Sequence, residues 1–259
     1  MLPQTATISA HRYGPDGFEP VELLVSAEYH MTFLVNGRPY LTVACSGSDL
    51  EIMAAGHLLS EGIIMSREEI ERIEVDEEGM SVNVVTSPGA DVIGRLFRVR
   101  TMVSGCAGGG TGTGCRGITL PAVPLIDPSV IIDSAKEFLG LSTIYRHTHG
   151  VHSAALYDIG GSRIAFYDEI GRHNAVDKLL GFALTGGVGL DQAMLFSTGR
   201  ISSEIVSKVA AARIPVLVTR AAPTSMAVGM AREIGLVLVT GVRRDGFYVH
   251  HGRESLGAS

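Results

Sequence analysis

The sequence predicts an α/β protein, α+β overall, in two parts: a small β-rich N-terminal domain over residues 1–118 and an α/β domain over residues 119–259. Three observations predict it. Short apolar runs separated by glycine-containing turns fill the first third, the texture of antiparallel strands. Beyond residue 128, apolar runs such as Val216-Leu-Val-Thr219 and Leu236-Val-Leu-Val239 alternate with stretches of helical period. Runs of this kind suit a parallel or mixed sheet covered by helices. Between the two textures lies a loop of glycine and threonine ending at Cys115, followed by Pro121 and Pro124.

The elements follow in order. Residues 21–25, 30–35 and 40–44 read as strands, and Asn36-Gly37 between the last two is a strong hairpin signal. Leu50, Met53, Ala54, His57 and Leu58 recur at helical spacing, so residues 50–60 form a helix with Ser48 or Asp49 as N-cap. Residues 72–75 and 80–86 flank Glu77-Glu78-Gly79 as a second hairpin, while 91–100 fits no single pattern. Asp127 caps a helix running through Leu139, with Pro128 in the first helical position. Residues 151–158 and 163–168 form a hairpin around Gly160-Gly161. Helices over 175–184, 202–211 and 224–233 then alternate with strands over 192–197, 215–219 and 236–240.

Composition narrows the function. Hydrophobic residues make up 46% of the 259 and mean hydropathy is +0.27, enough to fill a sizeable core. A net charge of −6 argues against the basic face that non-specific nucleic-acid binding requires. No apolar run nears the roughly 20 residues needed to cross a bilayer. The first residues lack the charged and apolar regions of a secretory signal. Three cysteines, an odd number, make no disulfide framework, so a reduced, cytoplasmic setting is expected.

Chemistry concentrates in four places. Cys106 and Cys115 close a loop in which six of the eight intervening residues are Gly or Ala. Such a tether builds no helix or sheet face and suits sulfur chemistry, metal binding or redox exchange. Zinc fits poorly, because ligand pairs normally have two to four residues between them. Cys45 reads as a small buried residue. His147, His149 and His152 form a second cluster, which could hold a metal only if the chain turns at Gly150, or could give one histidine to a polar pocket.

The third is Asp168-Glu-Ile-Gly-Arg-His-Asn-Ala-Val-Asp-Lys178, where Arg172, His173 and Asn174 bring donors to a loop-to-helix start, a place suited to anions. A salt-bridged helix entry is the plainer alternative. The fourth is a set of strand ends, where ligands sit in open α/β sheets. Arg200 and Ser202 follow one strand, Thr224 and Ser225 the next, and Val242, Arg243, Arg244, Asp245, Gly246 and Phe247 the last. Ordinary helix capping and turn chemistry would also use such residues. The glycine loop lacks the Gly-Lys-Ser/Thr ending of a nucleotide-triphosphate loop.

With these motifs assembled, the chain resembles the FdhD family, accessory sulfurtransferases of formate dehydrogenase maturation. The likeness is carried by Gly171-Arg-His-Asn-Ala-Val-Asp-Lys178, Gly199-Arg-Ile-Ser-Ser-Glu204, Ala222-Pro-Thr-Ser225, Gly150-Val-His152 and Ala55-Gly-His-Leu-Leu-Ser-Glu-Gly62. It implies a cytidine-deaminase-like C-terminal domain and a homodimer. It implies that a cysteine desulfurase loads sulfur as persulfide onto Cys106 or Cys115, with Cys106 favoured, for delivery to a bis(molybdopterin guanine dinucleotide) molybdenum cofactor used by formate dehydrogenase. Arg172, His173, Arg200, Ser202, Thr224 and residues 242–247 would then hold that cofactor, with no permanent metal. The zinc signature of deaminases is absent from the sequence. The chain departs from the family pattern in spacing its loop thiols by eight residues, in the order Asp168-Glu169, and in His149 and Ala221, where glycine and serine are usual. A non-catalytic cofactor chaperone and a metal-dependent hydrolase at the histidine cluster are the alternative functions.

Overall fold

The computed structural model describes residues 2–92, 94–96 and 117–257. Cys106 and Cys115, and half of the ambiguous stretch 91–100, lie outside the described residues. Among the described residues the strands form three sheets, of two, four and six strands.

The N-terminal strands are β1 (Thr5–Gly14), β2 (Gly17–Ser26), β3 (Tyr29–Val35), β4 (Arg38–Cys45), β5 (Ile70–Asp76) and β6 (Ser81–Thr86). The order β4-β3-β6-β5 makes the four-stranded sheet, and Asn36 and Gly37 turn the β3–β4 hairpin with φ of 52° and 75°. Both are left-handed, as a tight hairpin turn demands. Helix α1 (Leu50–Ser60) has the bounds its periodicity predicts, and it packs Leu50, Met53, Ala54 and Leu58 against Met31 and Phe33 of β3 and Val82 and Val84 of β6.

Two N-terminal features differ from expectation. Strand β1 is new: it pairs along its whole length with β2, from Thr5↔Ser26 to Gly14↔Gly17. Its apolar positions Ala6, Ile8 and Ala10 are few and mostly small, so their alternation is a weak signal. Asp49 takes the N-cap position of α1, but in a left-handed conformation (φ 50°) and without a side-chain cap bond. The Ser48 hydroxyl does not cap either. It accepts from Lys178 Nζ at 3.0 Å.

The C-terminal sheet runs β12-β11-β10-β9-β7-β8, built from β7 (His152–Asp158), β8 (Arg163–Glu169), β9 (Ala193–Ser197), β10 (Val216–Thr219), β11 (Val237–Arg243) and β12 (Gly246–His251). Strands β9, β10 and β11 are parallel, and the other pairings are antiparallel. Alternate residues serve two cores. Leu195, Leu217 and Leu238 face α4 (Arg172–Gly186), α5 (Ser203–Ala211) and α6 (Ser225–Ile234). Met194, Phe196, Val216, Val218, Val237 and Val239 face α2 (Pro128–Leu141), which packs Ile131, Ala135 and Phe138 against them. The expected sheet with helices on both faces is therefore present, and Asp127 caps α2 by accepting from Ser129 N at 2.8 Å.

A short helix, α3 (Thr143–Thr148), lies where no element was expected and carries His147. Ser142 caps it, accepting from Tyr145 N at 2.9 Å, and His149 ends it in a left-handed conformation. The last parallel strand also runs further than its apolar run suggests. Arg243 pairs with Gly246 across Arg244-Asp245, so residues 241–247 form a hairpin into β12 and not an open loop after a strand.

The N-terminal and C-terminal elements meet where α1 crosses α4. A β-carbon on Gly56 would collide with the carbonyl of Asp177, and one on Gly181 with the carbonyl of Ile52. Only glycine at both positions allows this backbone-to-backbone approach. Two ion pairs flank the crossing. Glu169 and Lys178, both wholly buried, meet at 2.9 Å, and Ser46 donates its N–H to both Glu169 oxygens at 3.0 Å. Lys208 Nζ lies 2.8 Å from Asp177 Oδ1, which also accepts from Ser60, while His57 Nδ1 is 3.2 Å from Oδ2.

Candidate active site: an anion cleft at the strand ends

The carboxyl ends of β9 and β10 lie beside the N-termini of α4 and α5. After β9 the chain passes Thr198-Gly199-Arg200 and enters α5 with Ser202 in the N-cap position. Arg172, the first residue of α4, lays its side chain over Gly199, where a β-carbon would sit 2.7 Å from the Arg172 Cδ. Glycine in the strand-end motif thus makes room for the arginine.

Three polar atoms here are buried without a hydrogen-bond partner among the described residues: Arg172 Nε, His173 Nε2 and Ser202 Oγ. Such groups are costly unless something else satisfies them. His173 Nε2 lies 3.1 Å from Glu204 Oε2, but the approach is not aligned as a hydrogen bond, and that carboxylate is largely in solvent. Burial, and then the Arg172 charge, hold the His173 imidazole below the usual histidine range, against the opposing pull of Glu204 and Asp177. Burial and Arg172 also lower His152, whose Nδ1 is 3.3 Å from Thr198 Oγ1. Burial and the neighbouring Arg172 thus disfavour the protonated form of both rings.

On the α2 side of the sheet, the same strand ends open into a cavity of about 680 Å³. Tyr145, His149, His152, Arg220 and Arg243 give it polar and cationic walls, and Phe138 and Leu139 an apolar one. Among the described residues that line it, none is Asp or Glu. Arg243 is held in place by donating Nη1 to the carbonyls of Arg220 at 3.0 Å and Val242 at 2.8 Å. A cavity of this size with two guanidiniums in its wall has the chemistry to suit a planar anion.

The residues expected from sequence fall into groups. Arg172, His173 and Ser202 come together, with Arg200 exposed beside them. Arg243 lines the cavity, and exposed Arg244 and Asp245 form the adjoining turn, with Gly246 at φ 151°. Thr224 caps α6 by accepting from Ala227 N at 3.2 Å. Val242 is buried in the core under α2, and Phe247 packs against that core. His147 lies on α3, His149 at its end and His152 on β7. Among the described residues no group of three or more His, Cys, Asp or Glu is placed to hold a metal ion. Cys45 is buried, and burial pushes its thiol up to about 11, so it is no nucleophile.

Sequence reasoning missed Ser142 and Tyr145, because a six-residue helix leaves too little periodicity to see. It did not single out Arg220 either. The available signal was that Arg220 follows β10 much as Arg200 follows β9.

A model of the FdhD/NarQ family matches residues 26–256. The chain belongs to this family. Among its relatives is the sulfur carrier protein FdhD of Wolinella succinogenes, 35% identical over 92% of this chain and 84% of that protein. The sulfur carrier protein FdhD of Staphylococcus aureus is 32% identical, covering 88% of each chain. A solved structure from Desulfotalea psychrophila, described as a candidate formate dehydrogenase accessory protein, superposes with a TM-score of 0.82 at 25% identity, over 98% of this chain and 100% of that one. Among the described residues no helix is long and apolar enough to cross a membrane.

Proposed function

We propose that this FdhD-family protein carries persulfide sulfur from a cysteine desulfurase to the molybdenum cofactor required by formate dehydrogenase. The observation that carries the reading is the acid-free cavity beside three buried, unpartnered polar atoms at two helix N-termini. That arrangement suits a cargo bearing diphosphates and a flat base, as a guanine dinucleotide does. Arg172, His173, Ser202 and the exposed Arg200 would hold phosphates, while Arg220 and Arg243 face the cavity. When bound, the cofactor supplies the metal centre that receives sulfur.

The chain's own chemistry rests on Cys106 and Cys115. A loop thiolate attacks the terminal sulfur of the desulfurase persulfide, a new S–S bond forms, and the desulfurase thiolate leaves. The second loop thiolate then attacks the inner sulfur of that persulfide, the first cysteine's own Sγ, so that a Cys–Cys disulfide bond forms as the bond to the terminal sulfur breaks. The terminal sulfur leaves as hydrosulfide for the cargo, and the resulting disulfide is reduced by a cellular dithiol.

Intact mass after incubation with desulfurase and cysteine tests this directly. The wild-type chain should gain one sulfur atom, and either Cys106→Ala or Cys115→Ala should abolish the gain. Full formate dehydrogenase maturation by the double variant would overturn sulfur transfer and favour a cofactor chaperone.

A further inference from the structure

One carboxylate ties together walls of the cavity that no sequence motif connects. Asp168, near the end of β8, accepts from Ser142 Oγ at 2.7 Å through Oδ2 and from Ser153 Oγ at 2.6 Å through Oδ1. Ser142 and Ser153 both line the cavity, on different elements. A serine hydroxyl has one hydrogen. Ser142 gives it to Asp168, which leaves a lone pair for the Tyr145 N–H it caps at 2.9 Å.

That cap carries weight because α3 is so short. Six residues cannot hold a helix by their own hydrogen bonds, so its position depends on what fixes its ends. The helix presents Tyr145, and His149 closes it; their rings meet edge to face with centroids 5.1 Å apart. Ser153 adjoins His152, which brings the opposite wall to the same carboxylate. The backbone around Asp168 is itself fixed, because Glu169 is held by Lys178 and by the Ser46 N–H.

We infer that Asp168 is the positioning residue of the cavity, holding the Tyr145–His149 wall at a set distance from the His152 wall through Ser142 and Ser153. Its use for a nucleotide rests on the function proposed above. A merely structural carboxylate would stabilise the fold without setting the geometry of this cavity. Asp127 provides the comparison: its carboxylate also accepts from a serine hydroxyl at a helix start, but that serine, Ser129, lines no part of the cavity, whereas Ser142 and Ser153 both do.

The test uses the full chain and GDP as the probe, with titration calorimetry for affinity and amide hydrogen exchange for residues 145–149. Asp168→Ala should weaken GDP binding about tenfold, the scale expected when a charge-assisted hydrogen bond that shapes a site is lost. It should also speed exchange in α3 beyond any change in the sheet. Asp127→Ala should leave GDP affinity within about twofold, with faster exchange confined to α2. In a cycle with Ser142→Ala, the two changes should not add, since one relay serves both. Unchanged affinity and unchanged α3 exchange in Asp168→Ala would overturn the inference, as would an equal effect from Asp127→Ala. Failure of the wild type to bind GDP, with α3 exchange still faster in Asp168→Ala, would uphold the positioning role and overturn the nucleotide reading alone.

Discussion

The first and second turns of α4 use the same kinds of residue for opposite ends. In the first turn, Arg172 and His173 have buried nitrogens with no hydrogen-bond partner among the described residues, and His173 faces only the exposed Glu204 carboxylate. In the second, Asp177 and Lys178 sit 2% and 0% exposed, each closed into an ion pair and hydrogen-bonded to serines from the N-terminal part of the chain. One continuous motif thus contains a clamp and a receptor. The difference teaches that burial alone does not mark a functional charge. A charge with every partner supplied by the chain serves the fold, and one left open is available to a ligand.

The sharpest way to break this comparison is to unpair the clamp. Lys178→Met leaves Glu169 buried beside no cation and should cost about 3–5 kcal/mol in urea unfolding. Adding Glu169→Gln should recover part of the loss. Wild-type stability in Lys178→Met would mean that the second turn is not a clamp. Next in size is the helix crossing. Alanine at position 181 gains about 1 kcal/mol in helix propensity, yet its β-carbon meets the Ile52 carbonyl, and backbone cannot yield as a side-chain tip can. Gly181→Ala should therefore lower stability by a net of about 1–3 kcal/mol, read as a fall in melting temperature.

Much of this architecture was legible beforehand. The bounds of α1 followed from five apolar-face residues at helical spacing, and the β3–β4 hairpin followed from Asn36-Gly37. Those are local signals. Strand β1 was not legible, since its apolar face is small and largely exposed, and α3 was too short for a period to show. The pairing of Lys178 with Glu169, Ser46 and Ser48 was also invisible, because it depends on which distant segments meet. At the site, Arg172, His173 and Ser202 were found from their place at helix starts. The cavity wall formed by Tyr145 and His149 needed the three-dimensional path of the chain.

The receptor turn should respond differently from the clamp. Arg172→Ala removes no internal hydrogen bond seen for its Nε, so stability should change by only about 0.5 kcal/mol, while GDP affinity falls roughly tenfold. Equal losses in both would erase the distinction between the turns. The smallest effect is with pH. His152 and His173 have lowered folded values, so the unfolded chain takes up protons first, near pH 6.5. Stability they contribute is therefore present above that pH and is lost as pH falls toward the folded values. Anion binding should move the other way, strengthening as pH falls below about 6.5 and the imidazoles gain charge. His173→Gln should flatten that rise in a calorimetric pH series.

Contact between bare backbones at Gly56 and Gly181 has a mechanical corollary. No side chain lies between the two helices there to act as a slip layer, so tilting α4 enough to swing Arg172 would drag α1 and the sheet beneath it. A guest reaching that wall meets a receptor already stiff, and little disorder remains to be quenched on arrival.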